Sequence, residues 1–285
     1  TTVIGFLALV LMQFQIGPDL GLALAKGVVL SLVTVFTFMP ALTLACYKWM
    51  DKTHHKPLLP SFDKFGRFVS RVMLPMALVL AILMVPSYLA SNSNQYHYGA
   101  AHMFGTNTRL GADTAAIEEI FGKSDTYVVL VPEGDTATQA ELSDALHAIP
   151  EVTGVLSYVD NAGASIPPEF VPADTLKLLV SGGYTRLVLT VDADTEGDAA
   201  FALVETVRAT VQQYYPDNYY LAGQGVSTYD LMDTITADMV KVNLLAIGAV
   251  FLILLLMKRQ LLLPIILVLS IETAIWINLA IPYFR

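Results

Sequence analysis

The sequence has few charged residues and almost no cysteine, and both shortages restrict what the chain can be. Charged residues occupy 14% of the 285 positions and apolar residues 55%, a balance too apolar for an ordinary soluble domain. The single cysteine, Cys46, excludes a disulfide framework within the chain and a cysteine-based metal site. This composition predicts a membrane protein whose other parts are held together by their own cores.

Sequence motifs of common enzyme classes are also missing. The sequence contains no G-x-S-x-G, no GK[ST] and no HExxH. His54 and His55 are adjacent and do not share one helical face, so they do not predict a metal site. Four alternating acids lack the central glycine and terminal glutamate of an EF-hand, and we interpret them as a solvated turn: Asp192, Asp194, Glu196 and Asp198. We expect no enzymatic activity, no cofactor and no bound metal.

Long apolar stretches are the main feature that is present. A transmembrane helix needs about 20 mostly apolar residues, and five candidates occur, at 2–16, 20–46, 72–90, 241–257 and 261–284. The first two are separated by a predicted turn at Gly17, Pro18 and Asp19, where Pro18 suits a first helical turn and Asp19 a helix N-terminus. Without an initiator Met or a basic leader, the first stretch does not resemble a signal peptide, and we expect the chain to start and stop within a longer protein.

The distribution of basic residues predicts the orientation of these helices, because short loops rich in lysine and arginine stay in the cytoplasm. The loops at 47–71 and 258–260 are basic and are assigned inside. The long segment 91–236 is then extracytoplasmic, and it contains only five basic residues among many acids. The net charge of -9 is therefore the sum of an acidic outer domain and basic inner loops, and nucleic-acid binding has no support.

The basic loop at 47–71 also contains apolar residues beside its cations. An amphipathic helix lying on the inner leaflet is one interpretation and a solvated loop is the other. The apolar residues concerned are Phe62, Phe65, Phe68 and Val69.

The outer segment has the alternation of an α+β domain. Strand patterns occur at 126–131, 152–159, 185–191 and 218–222, and helix patterns with one apolar face at 138–149 and 198–215. The order strand, helix, strand, repeated twice, predicts a ferredoxin-like α+β module. The proline-containing stretch 161–172 is predicted to be a surface loop or lid. Residues 225–240 are helical in pattern and run directly into the fourth apolar stretch.

Three stretches together resemble a known family: TTVIGFLALV, IGPDLGLALAKGVVLSLVTVFTFMPAL and AGQGVSTYDLMDTITADM. The chain resembles the resistance-nodulation-division (RND) superfamily and, within it, the MMPL-type bacterial exporters. The resemblance implies a membrane α-helical bundle with an extracytoplasmic ferredoxin-like porter domain, corresponding to helices five to nine of twelve. It also implies proton-driven export of hydrophobic or amphipathic molecules such as lipids or drugs. The proton-relay residues of the family fall outside this chain, so none is transferred to it.

These observations divide the chain into five predicted parts. They are a transmembrane hairpin at 1–46, a cytoplasmic linker at 47–71, a transmembrane helix at 72–90, the porter domain at 91–236 and a second hairpin at 237–285. The expected partners are membrane lipids, a hydrophobic or amphipathic small molecule and the remaining transmembrane helices of the same protein. Assembly into a homo-oligomer is left open.

Glu272 is the candidate for proton coupling, because an ionisable group within a membrane helix is costly and usually functional or paired. The alternative is that Glu272 hydrogen-bonds a polar group on another helix and has only a structural role. Asp19 and Lys26 form a second candidate pair near the outer surface, with snorkelling of Lys26 to the interface as the alternative. A small-residue surface on the second helix predicts close packing against a neighbouring helix; its residues are Gly21, Gly27, Ala23 and Ala25.

A different class of function remains open at this stage. A receptor or scaffold could use the outer domain to bind a partner while the helices serve only as an anchor. This alternative does not require Glu272.

Overall fold

The computed structural model of the protein describes residues 2–53, 63–93, 97–99, 104–166 and 170–284. It contains two compact units, Thr1–Tyr96 with Ile235–Arg285, here named the membrane unit, and His97–Thr234, here named the sheet unit. His54, His55 and Phe62 lie outside the described residues.

The described helices are α1 (Thr2–Ala8), α2 (Ile16–Lys52), α3 (Asp63–Asn92), α4 (Arg109–Phe121), α5 (Thr136–His147), α6 (Tyr158–Asn161), α7 (Ala173–Leu179), α8 (Asp198–Tyr214), α9 (Gln224–Lys258) and α10 (Leu262–Ala280). The described strands are β1 (Asp125–Pro132), β2 (Val152–Leu156), β3 (Val180–Ser181), β4 (Tyr184–Val191) and β5 (Tyr220–Gly223).

Four helices in the described ranges are long and apolar enough to cross a membrane: Ile16–Lys52, Phe65–Asn92, Gln224–Lys258 and Leu262–Phe284. The predicted count of five is therefore wrong for these residues. The first predicted segment contains only the shorter apolar helix Thr2–Leu11, which at 1.5 Å per residue reaches about 15 Å, half of the hydrocarbon thickness. It ends because Met12 is extended, with φ -70° and ψ 143°.

The turn between α1 and α2 also lies earlier than predicted. Gly17, Pro18 and Asp19 belong to the first turns of α2, which begins at Ile16, and Asp19 is the acidic residue of that first turn. The chain instead reverses direction in the residues that follow Met12 and precede α2. The negative charge of Asp19 still complements the positive end of the helix dipole, as the sequence predicted.

Small residues let α2 approach α1 closely. Gly17, Gly21 and Ala25 recur every four residues along α2, and all three are buried. A side chain at Gly21 would collide with the backbone carbonyl of Phe6. Helices in lipid associate through such close van der Waals contact, because lipid tails are as apolar as the side chains.

The second helix contact of the membrane unit joins α3 and α10. The ring of Tyr88 meets the ring of Trp276 edge-on, with centroids 5.1 Å apart. Helix α3 extends through Phe65, Phe68 and Val69 without interruption. These residues are therefore helical and not a loop, and they belong to the same helix as the apolar stretch 72–90.

The sheet unit is built on four strands in the order β2-β4-β1-β5, with β3 added beside β4. Every neighbouring pair is antiparallel. Helices α5 and α8 cover one face of the sheet. The core between them and the sheet contains Tyr127, Val129, Val131, Leu142, Leu146, Leu187, Leu189, Val191, Leu203, Val204, Val207 and Val211.

The predicted strands 126–131 and 185–191 and the predicted helix 198–215 agree with β1, β4 and α8 to within a residue. The predicted strand 152–159 is too long, because β2 ends at Leu156 and a helical turn follows. Ser157 caps that turn by accepting a hydrogen bond from the Asp160 amide, and its own hydroxyl donates to the Asp160 carboxylate. The stretch 161–172, predicted as a loop or lid, overlaps the end of α6 and includes three residues outside the described ranges.

Helix α4 was missed, although its ends carry recognisable signals. The Thr108 side chain accepts a hydrogen bond from the Gly111 amide at the N-terminus, and Gly122 ends the helix at a φ of 81°. Its apolar side chains are exposed, with Phe121 at 82%. A weak apolar periodicity in the sequence is consistent with a helix that covers no core.

The acidic stretch after β4 is not simply a solvated turn. Glu196 is 7% exposed, and its carboxylate accepts hydrogen bonds from the backbone amides of Tyr98, at 2.6 Å, and Gly99, at 3.2 Å. Asp194 forms an ion pair with Lys123 at 2.5 Å. The interpretation of these acids as solvated is therefore wrong for Glu196, which ties the segment 97–99 to the sheet unit.

Gly21→Ala and Gly27→Ala are expected to change stability in opposite directions. A Cβ at Gly21 would lie 2.6 Å from the Phe6 carbonyl oxygen, an overpacking that costs about 1–3 kcal/mol. A Cβ at Gly27 meets nothing within 4 Å, so alanine there gains roughly 0.5–1 kcal/mol through helix propensity. Heating the detergent-solubilised chain and measuring the monodisperse fraction checks this. Equal midpoints for the two variants would contradict the packing described for α2.

Tyr127→Phe and Tyr158→Phe form a second matched pair. The Tyr127 hydroxyl is buried without a hydrogen-bond partner among the described residues, and burial raises the pKa of Tyr127 to about 12. The Tyr158 hydroxyl donates to the Ile166 carbonyl. We expect Tyr127→Phe to leave the sheet unit as stable or more stable, and Tyr158→Phe to destabilise it by about 1 kcal/mol. Amide hydrogen exchange of peptides from β1 and α8 measures both changes, and a larger loss in Tyr127→Phe would refute the assignment.

Candidate functional site in the membrane unit

Glu272 lies on α10, and its side chain is buried within the membrane unit. Its residue is 7% exposed and the following Thr273 is 4% exposed, whereas the preceding Ile271 is 50% exposed. The carboxyl oxygen Oε2 has no hydrogen-bond partner among the described residues. A buried carboxyl with unused hydrogen-bonding capacity therefore stands within a helix whose other residues are mostly apolar.

The polar side chain that interacts with Glu272 belongs to α9. It is Asn243, an amide within the apolar part of that helix. An amide can donate to a carboxylate and accept from a protonated carboxyl, so it suits either state of Glu272.

The sequence analysis did not identify Asn243, although a signal was present. Between Lys241 and Lys258 it is the one polar side chain with an amide in an otherwise apolar run. Polar groups within membrane helices are costly unless they find partners. A search for lone amides in apolar runs, together with lone acids, would have found both residues of the pair.

The second predicted pair is not brought together. Asp19 and Lys26 both lie on α2 and both are exposed. No ion pair within 4 Å joins them in the described part of the chain. Their role near the outer surface stays a prediction.

Asp238, on α9, is a second buried acid of the membrane unit, and the sequence analysis did not single it out. It is 0% exposed, and its Oδ2 accepts hydrogen bonds from the backbone amides of Gln13, at 2.6 Å, and Phe14, at 3.0 Å. The Lys241 ammonium lies 3.8 Å from Oδ1 and is the nearest basic partner. The carboxylate therefore ties α9 to the connection between α1 and α2.

The position of Asp238 follows from what the connection needs. Residues that leave one helix and enter the next have backbone amides without helical partners. The residue before α2, Gln15, provides no side-chain cap. A carboxylate near this helix end satisfies amides and also complements the positive end of the helix dipole.

A metal centre has no support from the described residues. They contain no group of three or more His, Cys, Asp or Glu side chains placed to hold a metal ion.

Asp238→Ala is expected to destabilise the membrane unit, because the amides of Gln13 and Phe14 lose their buried acceptor. The expected loss is about 1–3 kcal/mol per unsatisfied group. Faster amide exchange in the peptide 9–16 is the direct measurement. Asp233→Ala, an exposed acid of the same helix, is the control and should leave that exchange unchanged. Unaltered exchange in Asp238→Ala would remove the proposed restraint.

Comparison with known proteins places this arrangement in a family. The family model described as "MMPL family" matches residues 1–76 and 104–284. A protein of Streptomyces coelicolor described as "Putative membrane protein SCO0839" is 25% identical over 284 residues, which are 95% of this chain. The chain spans 38% of the length of that relative. Because the family model matches most of the chain and four described helices are able to cross a membrane, this chain is a multi-pass membrane protein that belongs to the MMPL family.

Proposed function

We propose that the chain is part of a proton-driven transporter of the RND/MMPL type that exports hydrophobic or amphipathic molecules. The observation that carries the proposal is the match to the MMPL family over both units. The four apolar helices and the absence of known enzyme motifs in the sequence support transport over catalysis. Membrane lipids and the other helices of a longer protein are the expected partners.

In this proposal the sheet unit is an extracytoplasmic, ferredoxin-like porter domain. The strand order β2-β4-β1-β5 with antiparallel pairing supports it. So does the succession of elements, in which α5 follows β1 and α8 follows β4. The scarcity of lysine and arginine in this unit supports the outer location.

Glu272 is proposed to take up and release a proton during transport. Its burial and its interaction with the Asn243 side chain support this role. A carboxyl group that alternates between charged and neutral forms changes the cost of exposing its helix face to lipid or to water, by about 2.5–3.5 kcal/mol on insertion scales. That difference is large enough to bias a conformational equilibrium roughly a hundredfold.

The exposed polar residues of the membrane unit fit a larger bundle. Asn243 and Lys26 lie on helices that cross the membrane and are exposed in this chain. Such residues face a protein interior or a water-filled cavity when they occur within a membrane. Further helices of the longer protein would provide that surrounding.

The test is transport by the longer protein that contains this chain, reconstituted in vesicles. Efflux of a lipophilic dye is measured with and without an imposed proton gradient, for wild type and for Glu272→Gln. We expect Glu272→Gln to remove the part of the efflux that depends on the gradient, because glutamine cannot exchange a proton. Ser270→Ala is the matched control, since Ser270 is an exposed polar residue of the same helix.

Each outcome has a defined meaning when the variants are present at equal levels. Equal gradient-dependent efflux in wild type and Glu272→Gln would make Glu272 structural. Loss in both Glu272→Gln and Ser270→Ala would indicate a damaged helix. No gradient-dependent efflux in wild type, with any lipophilic probe, would favour a receptor or scaffold.

A further inference from the structure

The two faces of the central sheet differ in what covers them. The face towards α5 and α8 forms the core of the sheet unit. The other face has a row of apolar side chains that crosses all four strands, and the strand register places them side by side: Leu156, Val188, Val128 and Ala222. None of these four belongs to either hydrophobic cluster of the described residues. We name this surface the open face.

The open face has the dimensions of an extended chain molecule. Neighbouring strands lie about 4.8 Å apart, so a row across four strands is about 14 Å long. Leu156 at one end of the row is 48% exposed. Tyr220, in the next row, is 58% exposed and packs edge-on against Tyr184, with ring centroids 5.5 Å apart. The surface is therefore apolar along its length and aromatic at one border.

A single cation, Arg186, stands on this face. In the register it lies opposite Leu130, and Leu130 in turn lies opposite Tyr220. Its Nε is buried and has no hydrogen-bond partner among the described residues. The register places no acid among the strand residues that share the open face, and within the described ranges no ion pair includes Arg186.

The other arginines of the sheet unit behave differently. Arg208 pairs with Asp230 at 2.8 Å, and Arg109 pairs with Asp113 at 3.7 Å. An unpaired guanidinium in an acidic domain, beside an apolar row, has unsatisfied donors that match the oxygens of a carboxylate. The charge and the apolar surface point to the same kind of ligand.

We propose that the open face binds a single-chain amphipathic carboxylate, of the fatty-acid class, with its acid group on Arg186 and its chain along the row from Val128 to Leu156. The idea that the bound molecule is also a transported cargo rests on the proposed function. The binding site itself requires no transport. A protein partner would be expected to cover the same apolar row without discriminating an acid from an alcohol.

The test uses the whole chain in detergent and a photoreactive fatty acid that carries a diazirine in its chain. Cross-linked peptides are mapped by mass spectrometry, and unlabelled laurate or dodecanol is added as competitor. We expect labelling in peptides of β1, β2 and β4, displaced by laurate at about tenfold lower concentration than by dodecanol, as loss of one charge-assisted hydrogen bond predicts. Arg186→Gln should remove this preference and Arg186→Lys should keep part of it.

Arg208→Gln is the matched control, because Arg208 lies on α8, which covers the opposite face. It should bind laurate as wild type does. Equal competition by laurate and dodecanol, labelling outside β1, β2 and β4, or an unchanged preference in Arg186→Gln would each overturn the proposal. If the chain binds laurate but the longer protein does not transport, the binding site is supported and the proposed transport function is rejected. If the longer protein transports but the chain does not bind laurate, the transport function is supported and the binding site is rejected.

Discussion

Backbone amides beyond the end of a helix need a hydrogen-bond acceptor in an apolar environment. In the membrane unit a buried acid provides this acceptor for the connection between α1 and α2. Asp238 of α9 accepts hydrogen bonds from the amides of Gln13 and Phe14, between α1 and α2. Because an unsatisfied amide costs several kcal/mol where water is absent, this one side chain restrains three helices. The sheet unit uses the same device, since Glu196 accepts hydrogen bonds from the amides of Tyr98 and Gly99. In both units an acid that would be expected in solvent is buried to hold a connecting segment.

Packing within the membrane unit depends on small residues and a few polar ones rather than on large apolar cores. Gly17, Gly21 and Ala25 bring α2 against α1, and Tyr88 meets Trp276 between α3 and α10. Most large apolar side chains of these helices remain exposed, as expected of surfaces that contact lipid or further helices. Glu272 is buried where burial of an acid is costly, which is the reason for the coupling role proposed for it.

The sheet unit separates stability from recognition by using its two faces differently. One face and two helices form a continuous apolar core, which accounts for the unit without a disulfide. The other face has an apolar row and Arg186, whose buried Nε has no hydrogen-bond partner among the described residues. Since the side chains of a strand alternate between faces, the same strands supply the core and the proposed binding surface.

The sequence by itself determined the class of the protein. Long apolar runs follow from contact with lipid, and alternating strand patterns follow from a sheet with one face on a core. Thus β1, β4 and α8 were predicted closely, four of the five apolar stretches lie in long helices, and Glu272 was identified as a lone acid in an apolar run. The tertiary structure alone decided which polar groups meet. Asp238 reaches amides more than two hundred residues earlier in the chain, and the strand register places Arg186 beside Leu130 and Tyr220. Such contacts join residues distant in sequence, so no local pattern of residues encodes them.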